Sequence, residues 1–309
     1  MVLAAKVLVK EIRMEKQSPS IEIALRDVSV SYPVASSGRK TVLSNLNLDI
    51  YVGEFVAVLG ETGCGKSTLL RLVLGQEFPS SGSIIVDGNQ VTRIDSRCGY
   101  VPQKYSLFPD RTMIQNVMYG PENAFCRWFG RLLPSFWKFR HSLRHEAEAQ
   151  LIRMGLRAAD FNKYPHQLSG GMQQRVAIAQ ALMMKPPVLL MDEAFSALDP
   201  STRASLQQQL REIWQETRPT VLFVTHNTSE ALLLGTRLII LGAHRDHCQE
   251  SNVVLDMQLP QCSDTIAVRK QSREFQDLRE FVKAQAYGSS SKHDELQDLH
   301  KANGRGGSL

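Results

Sequence analysis

A short run, Gly60-Glu61-Thr62-Gly63-Cys64-Gly65-Lys66-Ser67-Thr68, does more than any other segment to limit what this chain can fold into. It fits G-x-x-x-x-G-K-[ST], the loop that cradles phosphates, and the motif carries meaning only between a strand and a helix. Both are present. Phe55-Val56-Ala57-Val58-Leu59 is an unbroken apolar run that reads as a buried strand, and Leu69-Leu70-Arg71-Leu72-Val73-Leu74 reads as a helix. The glycines let the backbone turn tightly and aim N–H groups at an anion, and the helix adds its positive dipole end. Lys66 is expected to reach the terminal phosphates and Ser67 to offer its hydroxyl to Mg²⁺. A glycine-rich turn with a capping hydroxyl is the alternative.

A second constellation lies downstream. Leu168-Ser169-Gly170-Gly171-Met172-Gln173-Gln174-Arg175 precedes the helix-forming stretch Val176–Leu182, with Ser169 as its expected N-cap. The run Val188-Leu189-Leu190-Met191-Asp192-Glu193 is a buried-strand pattern that ends in two carboxylates. Acids at the C-terminal end of a parallel strand beside a phosphate loop are where a Mg²⁺ ligand belongs.

With both motifs in this order, the chain resembles the ATP-binding subunits of ABC transporters. The resemblance covers roughly residues 20 to 250 and implies an α/β fold: an ABC-type phosphate-loop ATPase with a RecA-like core, an antiparallel β subdomain and a helical subdomain. It also implies roles. Tyr32 would stack on adenine, and Gln103 would touch Mg²⁺ and water and sense the γ-phosphate. Asp192 would hold Mg²⁺, Glu193 would act as general base or orient the water, and His226 would contact the γ-phosphate. Leu168, Ser169, Gly170, Gly171, Met172 and Gln173 would cover the ATP of a second copy in a head-to-tail homodimer, with Asp199 near the two-fold axis. ATP and Mg²⁺ are the implied ligands. Ala194 departs from the family, where proline commonly follows the acid pair; that changes backbone stiffness and no ligand.

Composition narrows the setting. The chain has 309 residues, 43% of them hydrophobic and 22% charged, as in ordinary globular proteins. No run approaches the roughly 18 apolar residues of a membrane span. The mixed charges of residues 1–20 argue against a signal peptide. Cysteines 64, 98, 126, 248 and 262 are scattered, odd in number and without CxxC spacing, which fits a reducing compartment rather than a disulfide framework or zinc site. Cys64 lies in the phosphate loop without a base beside it in sequence.

The organisation expected is an N-terminal extension (1–20), a nucleotide-binding unit (21–260) with helical character over about 104–182, and a C-terminal helix and tail (261–309). Within it, Ile21–Leu25 and Leu43–Tyr51 read as antiparallel strands, a turn falls at Asp87-Gly88, and helices are expected around 203–216 and 273–285. The segment 124–145 is basic and aromatic without an acid: Arg127, Arg131, Lys138, Arg140 and Arg144 lie among Phe125, Trp128, Phe129, Phe136, Trp137 and Phe139. Internal packing with solvated cations, contact with a membrane partner or lipid, and nucleic-acid contact are the open readings, and Pro134 breaks any single long helix there.

The resemblance is to the nitrate, sulfonate and taurine importer branch. It implies a peripheral subunit at the cytoplasmic face of the cell (inner) membrane, joined to separate permease subunits and, through them, to a solute-binding protein, with no nucleic acid. An exporter-type ATPase and a soluble, non-transport ABC ATPase are the alternatives.

Overall fold

Strands that are apolar at every position need cover on both faces, and this chain provides it with two sheets and a layer of helices. A computed structural model describes residues 20–34, 38–94, 96–104, 106–125, 134–243, 251–261 and 265–287. Strands β1 (Ile21–Val34), β2 (Gly38–Tyr51), β4 (Ser81–Val86) and β5 (Asn89–Gln90) form an antiparallel sheet in the order β2-β1-β4-β5. The β4–β5 hairpin turns at Asp87 and Gly88, whose φ angles of 48° and 70° are the paired positive values a two-residue hairpin requires.

The second sheet joins β3 (Phe55–Gly60), β6 (Cys98–Val101), β7 (Val188–Asp192), β8 (Thr220–Thr225), β9 (Arg237–Leu241) and β10 (Val253–Gln258) in the order β10-β9-β3-β8-β7-β6. All neighbours are parallel except β10, which runs antiparallel to β9. Alternation along β3 splits the core in two. Val56 and Val58 face α1 (Lys66–Leu74) and the antiparallel sheet, while Phe55, Ala57 and Leu59 face the helical side. Full burial of each large apolar side chain contributes about 1.5–3 kcal/mol.

The helical side carries α2 (Met113–Phe125), α3 (Pro134–Arg153), α4 (Gly170–Met183), α5 (Pro200–Thr217), α6 (Thr228–Leu234) and α7 (Ile266–Gln271), followed by α8 over residues 273–287. Helical structure over 104–182 begins at Met113 rather than Lys104. The fully buried Asn116 explains the delay: its carboxamide bonds Phe108, Arg111 and Thr112 backbone groups and holds that stretch as a loop.

The basic-aromatic segment divides. Residues 126–133, with Arg127, Trp128, Phe129 and Arg131, fall outside the described residues, and α3 starts at Pro134, where a missing N–H is harmless. Phe136 is buried, Phe139 stacks on Phe125 at 4.1 Å, Arg140 pairs with Glu122 and Arg144 with Glu148. Trp137 is 59% exposed.

Candidate functional site

Four neighbouring parallel strands, β3, β8, β7 and β6, end on one edge of the sheet, so the segments that follow them meet there. After β3, the loop Gly60–Thr68 turns into α1 through Gly65, whose φ of 102° favours glycine. Lys66 is buried and folds over its own loop, with Nζ donating to the Gly60 and Glu61 carbonyls at 2.8 and 2.7 Å and lying 3.9 Å from Cys64 Sγ. Thr62, Gly63 and Ser67 face solvent. Burial pushes the Cys64 thiol above its ordinary value despite the pull of Lys66, so Cys64 is not an activated thiolate.

The end of β7 supplies the carboxylates. Asp192 accepts a hydrogen bond from Ser67 Oγ at 3.2 Å; burial pushes its pKa up first, Ser67 pulls it down, and the charge of Glu193 pushes it up again. Glu193 sits at φ 45°, in the left-handed region, with its N–H donating to Val224 O on β8. Its two oxygens are engaged separately. Gln103 Nε2, just past β6, donates to Oε2 at 2.9 Å, and His226 Nδ1, just past β8, lies 3.0 Å from Oε1. The chain thus brings Gln103, Glu193 and His226 into direct contact, beside the linked pair of Ser67 and Asp192.

Tyr32 comes from the other sheet. Its hydroxyl donates to Glu77 Oε2 at 2.5 Å and lies 3.5 Å from Thr68 Oγ1, and Glu77 is paired in turn with Arg71 at 2.7 Å.

The Leu168–Gln173 segment makes its hydrogen bonds on the helical side. Ser169 caps α4 by accepting from Met172 N, and Gln173 Nε2 donates to the Pro165 and Leu168 carbonyls. Gly171 lies against α5, where a Cβ would come within 2.8 Å of Thr202 Cγ2. Asp199 caps α5, accepting from Ser201 Oγ at 2.6 Å and Thr202 N at 2.9 Å, and these bonds hold its carboxyl well below the usual carboxylate range.

Three supporting groups escaped the sequence reading. Arg203 donates to Leu198 O at 2.8 Å and reaches within 3.7 Å of buried Glu230, which accepts from Thr225 Oγ1 at 2.8 Å. This joins α5 and the loop before it to the end of β8 and the first turn of α6. Asn227-Thr228-Ser229-Glu230 has the spacing of a capping box, a signal that could have marked Glu230. Asn227 does cap α6, while Glu230 bonds Thr225 instead. Arg175 links Met154 O, Gln209 and Ser205, tying α4 to α5. Tyr287, at the end of α8, donates to His226 O at 2.8 Å. No local motif announces Arg203, Arg175 or Tyr287.

Comparison with known proteins agrees with this layout. The family model described as ABC transporter matches residues 43–196. The ABC transporter ATP-binding protein MJ0412 of Methanocaldococcus jannaschii is 41% identical over 226 residues, 73% of this chain and 79% of that protein. The nitrate import ATP-binding protein NrtC of Synechococcus elongatus is 42% identical over 222 residues, 72% of this chain but 32% of NrtC, so the match spans about a third of that relative. Among solved structures, the ATP-binding cassette MJ0796, described as a dimeric post-hydrolysis state bound to ADP and Pi, superposes with a TM-score of 0.63 at 30% identity, covering 78% of this chain and 100% of that one.

Proposed function

The chain belongs to the ABC transporter family as an ATP-hydrolysing cassette, and we propose that it powers import of a small anion of the nitrate, sulfonate or taurine kind. The unit doing so is residues 21–260, with the helical subdomain over about 104–182. One observation supports the hydrolytic reading above others: Glu193 is held on both oxygens, by Gln103 and His226, beside the Ser67–Asp192 pair and the Lys66 loop. A carboxylate so oriented activates and aims the attacking water, a role worth about 10²–10⁴-fold in rate. His226 steadies Glu193 and the γ-phosphate. Lys66 exchanges its loop carbonyls for phosphate oxygens, the Gly60–Thr68 N–H groups complete the cradle, and Tyr32 stacks on the adenine.

Mg²⁺ fits the residues present. Ser67 and Asp192 offer only oxygen donors, and the amide oxygen of Gln103 remains available because its nitrogen is engaged by Glu193. Once held, the cation supplies charge neutralisation at the transferring phosphate.

In this reading two copies pair head to tail. Leu168–Gln173 of one covers the ATP of the other, and Asp199 lies at the interface. Permease subunits and, beyond them, a solute-binding protein complete the transporter, with this subunit peripheral at the cytoplasmic face and no nucleic acid involved. Exposed Trp137 lines a cleft of about 330 Å³ with Arg140, His141 and Arg144, a surface suited to a permease segment. No helix among the described residues is long and apolar enough to cross a membrane. Gentle solubilisation of native membranes carrying tagged Glu193→Gln, with ATP present, tests the assembly. A polytopic permease among the co-purifying proteins is the expected result, and ribosomal or DNA-bound partners without one would overturn it.

A further inference from the structure

Helix α8 lies beyond the segment matched by the family model, yet its last residue reaches the candidate site. The helix is firmly seated. Ser272 Oγ accepts from Phe275 N at its start, Phe275 and Val282 are buried in the main core, and Leu278 and Ala286 pack against it. That spacing is the core-facing stripe of a helix. Tyr287 follows the last position of the stripe, and its half-buried phenol donates to the carbonyl of His226 at 2.8 Å.

The carbonyl it holds is one the sheet does not. The β3–β8 ladder closes at the Leu59–Thr225 pair, and α6 begins only at Thr228 with Asn227 as its cap. His226 therefore sits in the gap between two regular elements, and its imidazole must still meet Glu193 Oε1 at 3.0 Å. The phenol also faces the phosphate loop. Burial pushes its pKa up first, followed by the negative charge of Glu61, so the O–H stays protonated as a donor.

We propose that Tyr287 is a positioning residue for the hydrolytic site: its hydroxyl fixes the His226 backbone and thereby the imidazole that orients Glu193. The proposal rests on the reading of His226 and Glu193 given above. Tyr287→Phe keeps the ring and helix packing and removes only the donor. Loss of one such hydrogen bond lowers kcat about two- to tenfold if it acts on the transition state. KM for ATP stays within error, because no ATP contact is removed. In protein labelled with ¹⁵N-histidine, the His226 side-chain signal, assigned with His226→Gln, shifts in Tyr287→Phe without nucleotide.

An unchanged kcat, an unmoved His226 signal, or a raised KM at constant kcat would each overturn the proposal; the last would make Tyr287 a nucleotide contact. Lys66→Ala and His226→Ala serve as controls. Full activity in either sinks the reading of the site itself, whereas their inactivity beside an unaffected Tyr287→Phe sinks only the role of Tyr287.

Discussion

Glu193 occupies a left-handed backbone conformation, which for a residue with a side chain costs roughly 1–3 kcal/mol and persists only where neighbours enforce it. Here the Val224 carbonyl, Gln103 and His226 enforce it together. Asp192, next in line, is a carboxylate that burial works against. Its folded-state pKa is raised, so ionised Asp192 opposes folding above the ordinary carboxylate range, and the penalty fades as pH falls toward 4 and the group protonates. Asp192→Asn should therefore raise the melting temperature of the ligand-free protein at neutral pH. The same variant should lose the extra stabilisation that Mg²⁺ adds in the presence of ATP. Paired thermal melts with and without Mg·ATP decide it, and a lower ligand-free melting temperature would count against the argument.

Among the elements, α4 and α5 act as a pair. Both are capped by a side chain from the loop before them, Ser169 and Asp199, and Gly171 and Arg175 hold them together. The Asp199 cap carries a pH signature. Its carboxyl lies well below its ordinary value of 3.8, so its stabilising effect is complete above that value and is lost as pH falls through the lower, folded-state one. Asp199→Ala should be less stable than the parent at pH 7, with the gap narrowing below about pH 4. Urea melts across pH 3–7 without nucleotide measure this, and a gap that widens on acidification would contradict it. Thr225, Glu230 and Arg203 form a second bridge, which couples the end of β8 and the first turn of α6 to α5 and the loop before it.

At the scale of the whole molecule, the hydrogen bonds of the Leu168–Gln173 segment stay on the helical side, while the phosphate loop, Asp192, Glu193 and His226 share the sheet edge. A composite site between two copies uses both halves, and ATP drives closure only by binding the closed pair more tightly than the open one. Glu193→Gln, which retains the side-chain shape while slowing turnover, should migrate as a dimer on size exclusion with Mg·ATP and as a monomer without it. Persistent monomer at saturating nucleotide would remove the composite site.

What the sequence determined by itself is what local chemistry encodes. The phosphate loop is legible because glycines, lysine and serine stand between an all-apolar strand and a helix, and the Asp87-Gly88 turn because those residues tolerate positive φ. The cap at Ser169 and the strand ending in Asp192, with Glu193 directly after it, are equally local. The strand order belongs to tertiary structure alone. Parallel strands pair across long crossovers, so no short-range pattern states that β8 inserts between β3 and β7, or that β6 follows β7. That order puts Gln103, Glu193 and His226 in contact across 90 residues of chain for the first pair. The same physics hid Tyr287, Arg203 and Arg175. Arg203 and Arg175 are ordinary helix residues in sequence and Tyr287 falls just past the expected 273–285 helix; the role of each comes from which backbone carbonyl or carboxylate folding sets in front of it.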